Sequence, residues 1–393
     1  MKGLNWALVG LGCALLPLGC ADEPAALGDQ TIVLWEQTPI AFEPDNATPE
    51  LNGWLRLDAG RTLLKPLILP KYARRTDITL HLTLQSHGDP WDKVGSVFAL
   101  ADGDGRRFME RLREGVQSDT TRFAGVMAEP DGTPPLEWMR FITPFGAGHF
   151  SDHPKADAWR PVYIPKWENA VHWEAQLDDF QPWLAAADTV WIGLHIDTWT
   201  AEGYVVDGRL EFRESDLACD VAPQHTILPL WNTMKLTHDQ RPYTGFPDGP
   251  LLTEVRTREG QVTCGLITTG HGGHEGGDEF TPQPHALSVD GAVAHAWTPW
   301  RDDCASFRRF NPTSGSWLVE ERGRSEEVAS SDLSRSNWCP GSHVAPLMIP
   351  LGRWEEPLHA VALAIPGAQR LGPDAHNFWN VSAYLKIEDA GQM

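Results

Sequence analysis

Apolar and polar residues alternate in short runs along this chain, and this pattern predicts β-strands. In the clearest run, Ile78–Leu84, apolar residues occupy every second position and Thr or His the positions between them, as in a strand with one buried face. Similar runs predict strands at 31–35, 55–57, 78–84, 95–100, 139–143, 162–164, 189–195 and 208–212, and again at 251–256, 262–268, 285–289, 344–349, 359–365 and 378–387. The segments 101–135 and 311–335 are rich in charged or polar residues, and we expect them to leave the sheets.

The two groups of predicted strands indicate two structural units. We expect an all-β fold made of two tandem antiparallel jelly-roll β-sandwich domains. The N-terminal domain is predicted at 31–216, a linker at 217–229 and the C-terminal domain at 230–390. The 36 Gly and 31 Pro residues agree with many turns between strands.

The first twenty residues have the pattern of a secretion signal. Lys2 supplies a positive charge, and the apolar run Leu4–Leu18 that follows is too short to span a bilayer. The run ends in Gly19-Cys20, which resembles a bacterial lipobox in which Cys20 becomes the acylated N-terminus. We therefore expect a signal peptide at 1–20, a tether at 21–30, and an exported protein. It is predicted to be an outer-membrane or cell-surface lipoprotein held only by its lipid anchor, or else periplasmic or secreted.

Charge and tryptophan content limit the classes of partner. The chain has 32 Lys and Arg against 53 Asp and Glu, a formal net charge of −21, and no basic stripe, which argues against a nucleic-acid partner. It also has 18 Trp. These rings either stack on sugars or fill the cores of β-sandwiches, and composition alone does not separate the two.

Five short segments contain the carboxylates, arginines and aromatic residues that are candidates for the chemistry. They are Pro90-Trp91-Asp92-Lys93, Arg140–Phe145, Asp197-Thr198-Trp199, Thr268–Gly272 leading into Asp278-Glu279-Phe280, and Arg335 followed by Asn337–Gly341. In this order they resemble the bacterial peptide-N-glycosidase F family, amidases that remove N-linked glycans from asparagine. The resemblance spans about residues 75–390 and implies an active site where two jelly rolls meet.

The resemblance also implies roles for individual residues. Asp92 matches the essential aspartate and is expected to act as base or nucleophile, whereas Glu279 and Asp197 would hold a water and groups of the inner sugar. The residues expected to bind substrate are Trp91, Lys93, Trp199, Phe280 and Arg335. Three positions depart from the family pattern, because Lys93 replaces an arginine, Asp197 a glutamate and Phe280 a tryptophan. The expected partners are N-glycosylated proteins or glycopeptides, and no cofactor is required.

Four cysteines remain outside the predicted signal peptide, and an even number in an exported chain indicates disulfides. The resemblance implies a disulfide between Cys304 and Cys339. By elimination, Cys219 and Cys264 are candidates for a second one.

Two other interpretations stay open at this point. The departures from the family pattern favour a non-enzymatic surface lipoprotein that binds glycan or protein on the same scaffold. Alternatively, His271 and His274, with Glu275, Asp278 and Glu279 nearby, indicate a metal site of the kind found in copper-dependent monooxygenases, which also have twin jelly rolls. The spacing differs from the helical His-Glu-x-x-His pattern. His285 is expected to be a structural histidine.

Overall fold

The structure is a computed structural model that describes residues 25–45, 48–114, 133–217, 219–234, 249–272, 277–321, 324–369 and 377–389. The predicted signal peptide and Cys20 lie outside these ranges, so export and lipidation stay predictions. Within the ranges, no helix combines the length and the hydrophobicity that crossing a membrane requires.

The N-terminal half is a sandwich of two antiparallel sheets. Its strands are β1 (Gln30–Ile40), β2 (Glu50–Leu51), β3 (Trp54–Leu57), β4 (Thr62–Leu67), β5 (Thr76–Ser86), β6 (Val94–Ala101), β7 (Leu136–Ile142), β8 (Val171–Gln176), β9 (Val190–Ile196) and β10 (Tyr204–Glu214). One sheet has the strand order β1-β10-β5-β8, and the other contains the strands β7-β6-β9-β4-β3-β2 in that order. The α-helices described in this half are α1 (Asp102–Glu114), α2 (Pro154–Ala158) and α3 (Gln181–Ala186).

The C-terminal half is a second antiparallel sandwich with an added hairpin. Its strands are β11 (His225–Asn232), β12 (Leu251–Arg256), β13 (Gly260–His271), β14 (His285–Val289), β15 (Ala292–Trp297), β16 (Ser316–Glu321), β17 (Arg324–Ala329), β18 (His343–Val344), β19 (Leu347–Trp354), β20 (Leu358–Ala364) and β21 (Phe378–Glu388). The two sheets have the orders β11-β21-β13-β19 and β12-β20-β14-β15, and β16 pairs with β17. The predicted all-β fold of two antiparallel sandwiches is thus confirmed.

The alternating patterns place the core side chains as predicted. On β5, Leu80, Leu82 and Leu84 are buried while the residues between them are partly exposed. They belong to the core of the N-terminal sandwich, and a separate cluster that includes Val262 and Leu385 forms the core of the second. Burial of these faces is the main source of stability for each sandwich.

Two strand predictions need correction. The segment 162–164 is a turn closed by a hydrogen bond from the Ile164 N–H to the Pro161 carbonyl (2.9 Å), and Val162 is fully exposed. Proline flanks these three apolar residues on both sides. Because proline has no backbone N–H, neither flanking residue can donate a hydrogen bond to a neighbouring strand. The predicted strand 344–349 is two strands, β18 and β19, because the chain changes sheets between them.

The linker and the first polar segment contain more regular structure than expected. Strand β11 begins at His225, inside the predicted linker 217–229, and pairs with β21. Helix α1 occupies the start of the segment 101–135, and its Phe108 packs against Phe98 of β6, with ring centres 5.4 Å apart. The sequence pattern predicted neither element, nor β2, β4, β8, β15, the hairpin β16–β17 and the short helices α2 and α3.

The four cysteines that lie in the described ranges are one bonded pair and two free thiols. Cys304 and Cys339 form the predicted disulfide, with Cα atoms 5.1 Å apart. The suggested pairing of Cys219 with Cys264 is wrong, because both are free. Cys264 lies inside β13 with its side chain in the core of the C-terminal sandwich, whereas Cys219 is exposed after β10.

The two halves share backbone hydrogen bonds across their boundary. Strand β18 of the C-terminal half pairs with β7 and thereby extends the sheet of the N-terminal half. Near it, the indole N–H of Trp173 donates to the Gly341 carbonyl at 3.0 Å. Residues carried on loops at this boundary are therefore held by both sandwiches.

Candidate functional site

The loop between β5 and β6 carries Asp92, and buried hydrogen bonds fix its course. Asp89 is fully buried, and its carboxylate accepts the Trp91 N–H (3.0 Å) and the Thr198 hydroxyl (2.7 Å). The Trp91 carbonyl accepts the Tyr204 hydroxyl at 2.6 Å. Strands β5, β9 and β10 thus jointly position the backbone that leads into Asp92.

Lys93 continues this loop into β6. Its N–H donates to the Thr143 hydroxyl and its carbonyl accepts the Thr143 N–H, both at 2.8 Å. The segment after β7 therefore fixes the loop on the C-terminal side of Asp92.

The side chains of Asp92, Glu279 and Arg335 converge at the boundary between the halves. Arg335 Nε donates to Glu279 Oε1 at 2.9 Å, and Arg335 Nη2 lies 4.0 Å from Asp92 Oδ2. The carboxylates keep 19% (Asp92) and 14% (Glu279) of their side-chain exposure, whereas Arg335 keeps 1%. One buried guanidinium thus faces two carboxyl groups, one from each half, and both remain accessible from solvent.

Glu279 follows β13 in a loop that the buried carboxylate of Asp278 anchors. Asp278 Oδ1 accepts the Gln283 amide at 2.7 Å, and Oδ2 accepts the Asn377 amide and the Trp379 indole N–H, both at 3.0 Å. Asp278 is completely buried. The residue that the sequence analysis considered as a metal ligand therefore holds the loop that presents its neighbour Glu279.

Arg335 is held by its backbone and by aromatic rings. It exchanges two backbone hydrogen bonds with Arg301 (2.8 and 3.0 Å), and its Nη1 donates to the Leu333 carbonyl at 2.8 Å. Its guanidinium carbon lies 4.9 Å from the ring centres of both Phe280 and Trp338. Such contacts favour the charged group over alternative rotamers, so the guanidinium is fixed before any ligand arrives.

Burial raises the pKa of both converging carboxyl groups. Desolvation raises the pKa of Asp92 above its ordinary value, while the charges of Arg335 and Lys93 lower it. Desolvation also raises the pKa of Glu279 to about 7, with Arg335 opposing the shift and the charge of Asp92 adding to it. Glu279 therefore exchanges a proton with solvent near neutral pH, as acid–base sites do, and the raised pKa of Asp92 makes its carboxylate a stronger base than an exposed aspartate.

Asp197 lies at the end of β9, next to the Asp92 loop. Its N–H donates to the Val94 carbonyl at 3.0 Å, and its carboxylate is paired with Arg61 at 2.6 Å. A second carboxylate, Asp58, lies 2.7 Å from Arg61 Nη2. The structure thus brings Asp197 beside the loop through its backbone, and its carboxylate faces a buried arginine.

Aromatic side chains border this region. Trp91 is 56% exposed and Trp199 is 37% exposed. Trp199 packs 4.5 Å from the guanidinium of Arg61 and 5.1 Å from the ring of Phe42. Both tryptophans present apolar surface that a ligand can contact.

The histidines of the alternative metal site have structural partners where they are described. His271 Nε2 is 2.8 Å from the Thr269 hydroxyl, its ring stacks on Trp338 and Phe378, and burial lowers its pKa to about 3. His274 and Glu275 lie outside the described residues. Among the residues that are described, no three His, Cys, Asp or Glu side chains form a cluster that could hold a metal ion.

His285 has the environment expected of a structural histidine. Its Nδ1 donates to the Gln283 carbonyl at 2.9 Å, and its ring contacts Trp297 and Trp379.

Two buried residues that support the site, Arg61 and Asp89, were not among the sequence-based predictions. Asp89 forms an Asx turn with Trp91, and an Asp before Pro90 is a recognisable signal for one. Nothing in the local sequence Asp58-Ala59-Gly60-Arg61 indicates that Arg61 is completely buried.

This arrangement supports hydrolytic chemistry. A carboxylate with a raised pKa can take a proton from water, and a fixed guanidinium can stabilise negative charge that develops nearby. The exposed rings of Trp91 and Trp199 can orient a substrate beside these groups.

Comparisons with known proteins match both halves of the chain. Family models described as the N-terminal and C-terminal parts of peptide-N-glycosidase F match residues 31–212 and 251–386. The structure of PNGF-II is similar, with a TM-score of 0.77 and 30% identity, over 92% of this chain and 66% of that chain. The present chain thus spans just under two thirds of the length of PNGF-II. No curated protein sequence matches the chain.

Two solved structures of peptide-N-glycosidase F show the same fold at lower identity. Recombinant peptide:N-glycanase F has a TM-score of 0.57 and 13% identity, over 93% of this chain and 97% of that one. PNGase F from Flavobacterium meningosepticum, described as a glycosylasparaginase, has a TM-score of 0.57 and 14% identity, over 92% and 96%. Because the two family models together match most of the sequence, one in each sandwich, the chain belongs to the peptide-N-glycosidase F family.

Proposed function

We propose that this protein is an amidase that hydrolyses the bond between an asparagine side chain and an N-linked glycan, on glycoproteins or glycopeptides. The observation that carries the proposal is the convergence of Asp92, Glu279 and Arg335 at the boundary of the two sandwiches. A hydrolysis of this kind needs a base that takes a proton from the attacking water and a cation that stabilises the negative oxygen formed in the intermediate. These three side chains supply both.

Asp92 acts as the base in this proposal. Its carboxylate takes a proton from a water whose oxygen attacks the side-chain carbonyl carbon of asparagine. The carbon–nitrogen bond then breaks, the proton passes to the leaving glycosylamine, and asparagine becomes aspartate. The Arg335 guanidinium, 4.0 Å from Asp92 Oδ2, stabilises the negative oxygen of the intermediate.

Glu279 holds the sugar linked to asparagine. Its carboxylate is already bonded to Arg335 and to the Gly272 N–H (3.3 Å), so its orientation is fixed. A fixed carboxylate accepts hydrogen bonds from sugar hydroxyls or from the attacking water without further ordering cost. Asp197, held by Arg61, supports the same region from β9.

The decisive experiment is the release of glycan from a denatured N-glycoprotein, with mass spectrometry of the peptide. The wild-type protein is expected to release the glycan and to convert asparagine to aspartate. Asp92→Asn is expected to lower kcat/KM by about 10²–10⁴-fold. Asp188→Asn is the matched control, because Asp188 is an exposed aspartate paired only at the surface with Lys71 (2.9 Å), and it is expected to keep full activity.

Undiminished release by Asp92→Asn would contradict the role of Asp92. Binding of the glycoprotein by the wild-type chain without conversion of asparagine would support a glycan-binding module on the same scaffold instead.

A further inference from the structure

A two-stranded hairpin stands beside the candidate site, within the loop that the Cys304–Cys339 disulfide closes. Strands β16 and β17 pair antiparallel from Ser316↔Ala329 to Glu321↔Arg324. The hairpin lies in the polar segment 311–335, which was expected from the sequence to leave the sheets. It packs only partly against the sandwich, and Trp317 remains 43% exposed on it.

Trp317 extends an aromatic row from the buried site toward solvent. Its ring centre lies 5.2 Å from that of Phe280, and the Phe280 ring lies 4.9 Å from the guanidinium of Arg335. Arg335 in turn contacts Glu279. A ligand that leaves the centre past Glu279 and Phe280 therefore meets the exposed face of Trp317 next.

The base of the hairpin is tied to the C-terminal part of the site. The Ser330 N–H donates to the Gly315 carbonyl at 2.7 Å, and the Ser330 hydroxyl accepts from Arg335 Nη2 at 3.4 Å. A further bond joins the Ser331 N–H to the Ser314 hydroxyl at 2.9 Å.

The same base is also tied to the loop that carries Asp92. The Thr313 hydroxyl donates to the Pro90 carbonyl at 2.7 Å. The position of Trp317 is thus fixed relative to both sides of the site.

The chemistry around Trp317 fits a neutral sugar ring. Because cross-strand partners share a face and the pattern repeats every second residue, Trp317, Val319, Val328 and Glu326 lie on one face of the hairpin. An apolar ring beside a carboxylate can stack on the C–H face of a sugar and accept hydrogen bonds from its hydroxyls. Glu326, on this face, disfavours anionic ligands by like-charge repulsion.

We propose that Trp317 forms an outer sugar-binding position, which receives a neutral sugar of the glycan beyond the two inner N-acetylglucosamine residues. This proposal rests on the proposed function, since it places the linked sugar at Glu279. The hairpin makes the enzyme selective for extended neutral glycans.

Two glycopeptides that share one peptide test the proposal. One carries only the two inner N-acetylglucosamine residues, and the other carries the same core extended by neutral mannose branches. Trp317→Ala is expected to raise KM for the extended substrate about fivefold to tenfold without changing its kcat. For the short substrate, both KM and kcat are expected to stay at the wild-type values. Trp317→Tyr, which keeps a stacking face, is expected to restore most of the loss.

Leu318→Ala is the matched control, because Leu318 is 76% exposed on the opposite face of the same hairpin. It is expected to leave both substrates unaffected. An equal loss on both substrates with Trp317→Ala would overturn the proposal, because Trp317 would then act only by supporting Phe280 and Arg335. No loss on either substrate would overturn it as well.

Binding of the free extended oligosaccharide, measured by calorimetry, separates this proposal from the proposed function. If the wild-type protein binds the oligosaccharide and Trp317→Ala weakens binding while Leu318→Ala does not, the outer position is supported even if no glycan is released. If the wild-type protein does not bind, or if both variants bind as it does, the proposal fails.

Discussion

One guanidinium facing two carboxyl groups sets the charge balance of the site. With both carboxyl groups ionised, the group of three carries a net negative charge in partly desolvated surroundings. Burial and the charge of Asp92 therefore raise the pKa of Glu279 to about 7, against the stabilising effect of Arg335. Both oxygens of Glu279 accept hydrogen bonds, from Arg335 and from the Gly272 N–H. These donors match the carboxylate, so we infer that the ionised form is the working form.

A pH dependence follows from this assignment. Because the pKa of Glu279 is raised, its carboxylate forms only as the pH rises through about 7, and kcat/KM is expected to rise over the same interval. In Glu279→Gln the side chain stays neutral at every pH. That variant is expected to lose the rise near pH 7. Because its neutral amide positions the sugar and the attacking water less well than the carboxylate, it is expected to be slower above pH 7 by about 10²-fold.

The measurement is a pH profile of glycopeptide release for the wild-type protein and for Glu279→Gln. Asp188→Asn, at the surface, serves as the control and is expected to keep the wild-type profile. A rise near pH 7 that persists in Glu279→Gln would show that another group titrates there.

Some residues of the site could be predicted from the sequence and others could not. Asp92, Glu279 and Arg335 stand in short motifs whose order along the chain is informative. Arg61 and Asp89 were missed because their importance comes from burial and from partners more than a hundred positions away, namely Asp197 for Arg61 and Thr198 for Asp89. Local sequence does not report such pairings.

Among the elements, the loop closed by the Cys304–Cys339 disulfide has the most direct link to the site, because it contains Arg335 and the hairpin β16–β17. The two cysteines are 35 positions apart. Closing a loop of this length limits the unfolded chain and stabilises the fold by roughly 3–4 kcal/mol in the chain-entropy model. The disulfide also ties the segment that carries Arg335 to the 3₁₀ turn Cys304–Phe310.

Removing this disulfide is expected to lower the free energy of unfolding by roughly 3–4 kcal/mol. Denaturant unfolding of the double variant Cys304→Ser, Cys339→Ser measures the change. Cys219→Ser is the control, because Cys219 is a free, exposed thiol. If the double variant were no less stable than Cys219→Ser, the disulfide would not contribute to stability.

Strands were easier to predict than the elements between them. The run in β5 is unambiguous because its alternation coincides with one buried face. Helix α1 was missed because Gly103 and Gly105 lower its helix propensity. Gly105 is needed there, since a Cβ at that position would meet the Trp191 ring at 2.2 Å. This requirement comes from tertiary packing, which a local pattern does not contain.

A buried ion pair on β7 is hydrogen-bonded to the C-terminal sandwich and so links the two halves of the molecule. Arg140 on β7 pairs with Glu137 at 2.6 Å, and its Nη1 donates to the Asn380 carbonyl of β21, also at 2.6 Å. Glu137 accepts a hydrogen bond from Ser382 of the same strand. The pair has 0% and 1% side-chain exposure. Since β18 also pairs with β7, the halves share one sheet edge and one polar network.

Breaking this network is expected to destabilise both halves together. Glu137→Gln leaves the Arg140 charge buried without its carboxylate, which costs about 3–5 kcal/mol. Denaturant unfolding followed by tryptophan fluorescence and by circular dichroism is expected to give one coincident transition for the wild-type protein, shifted to lower denaturant in the variant. Asp188→Asn, which breaks an exposed pair, is expected to cost under about 1 kcal/mol. A Glu137→Gln variant as stable as Asp188→Asn would mean that the boundary does not depend on this pair. The position of Asp92 relative to Glu279 would then depend on the β7–β18 pairing and the apolar contacts around it.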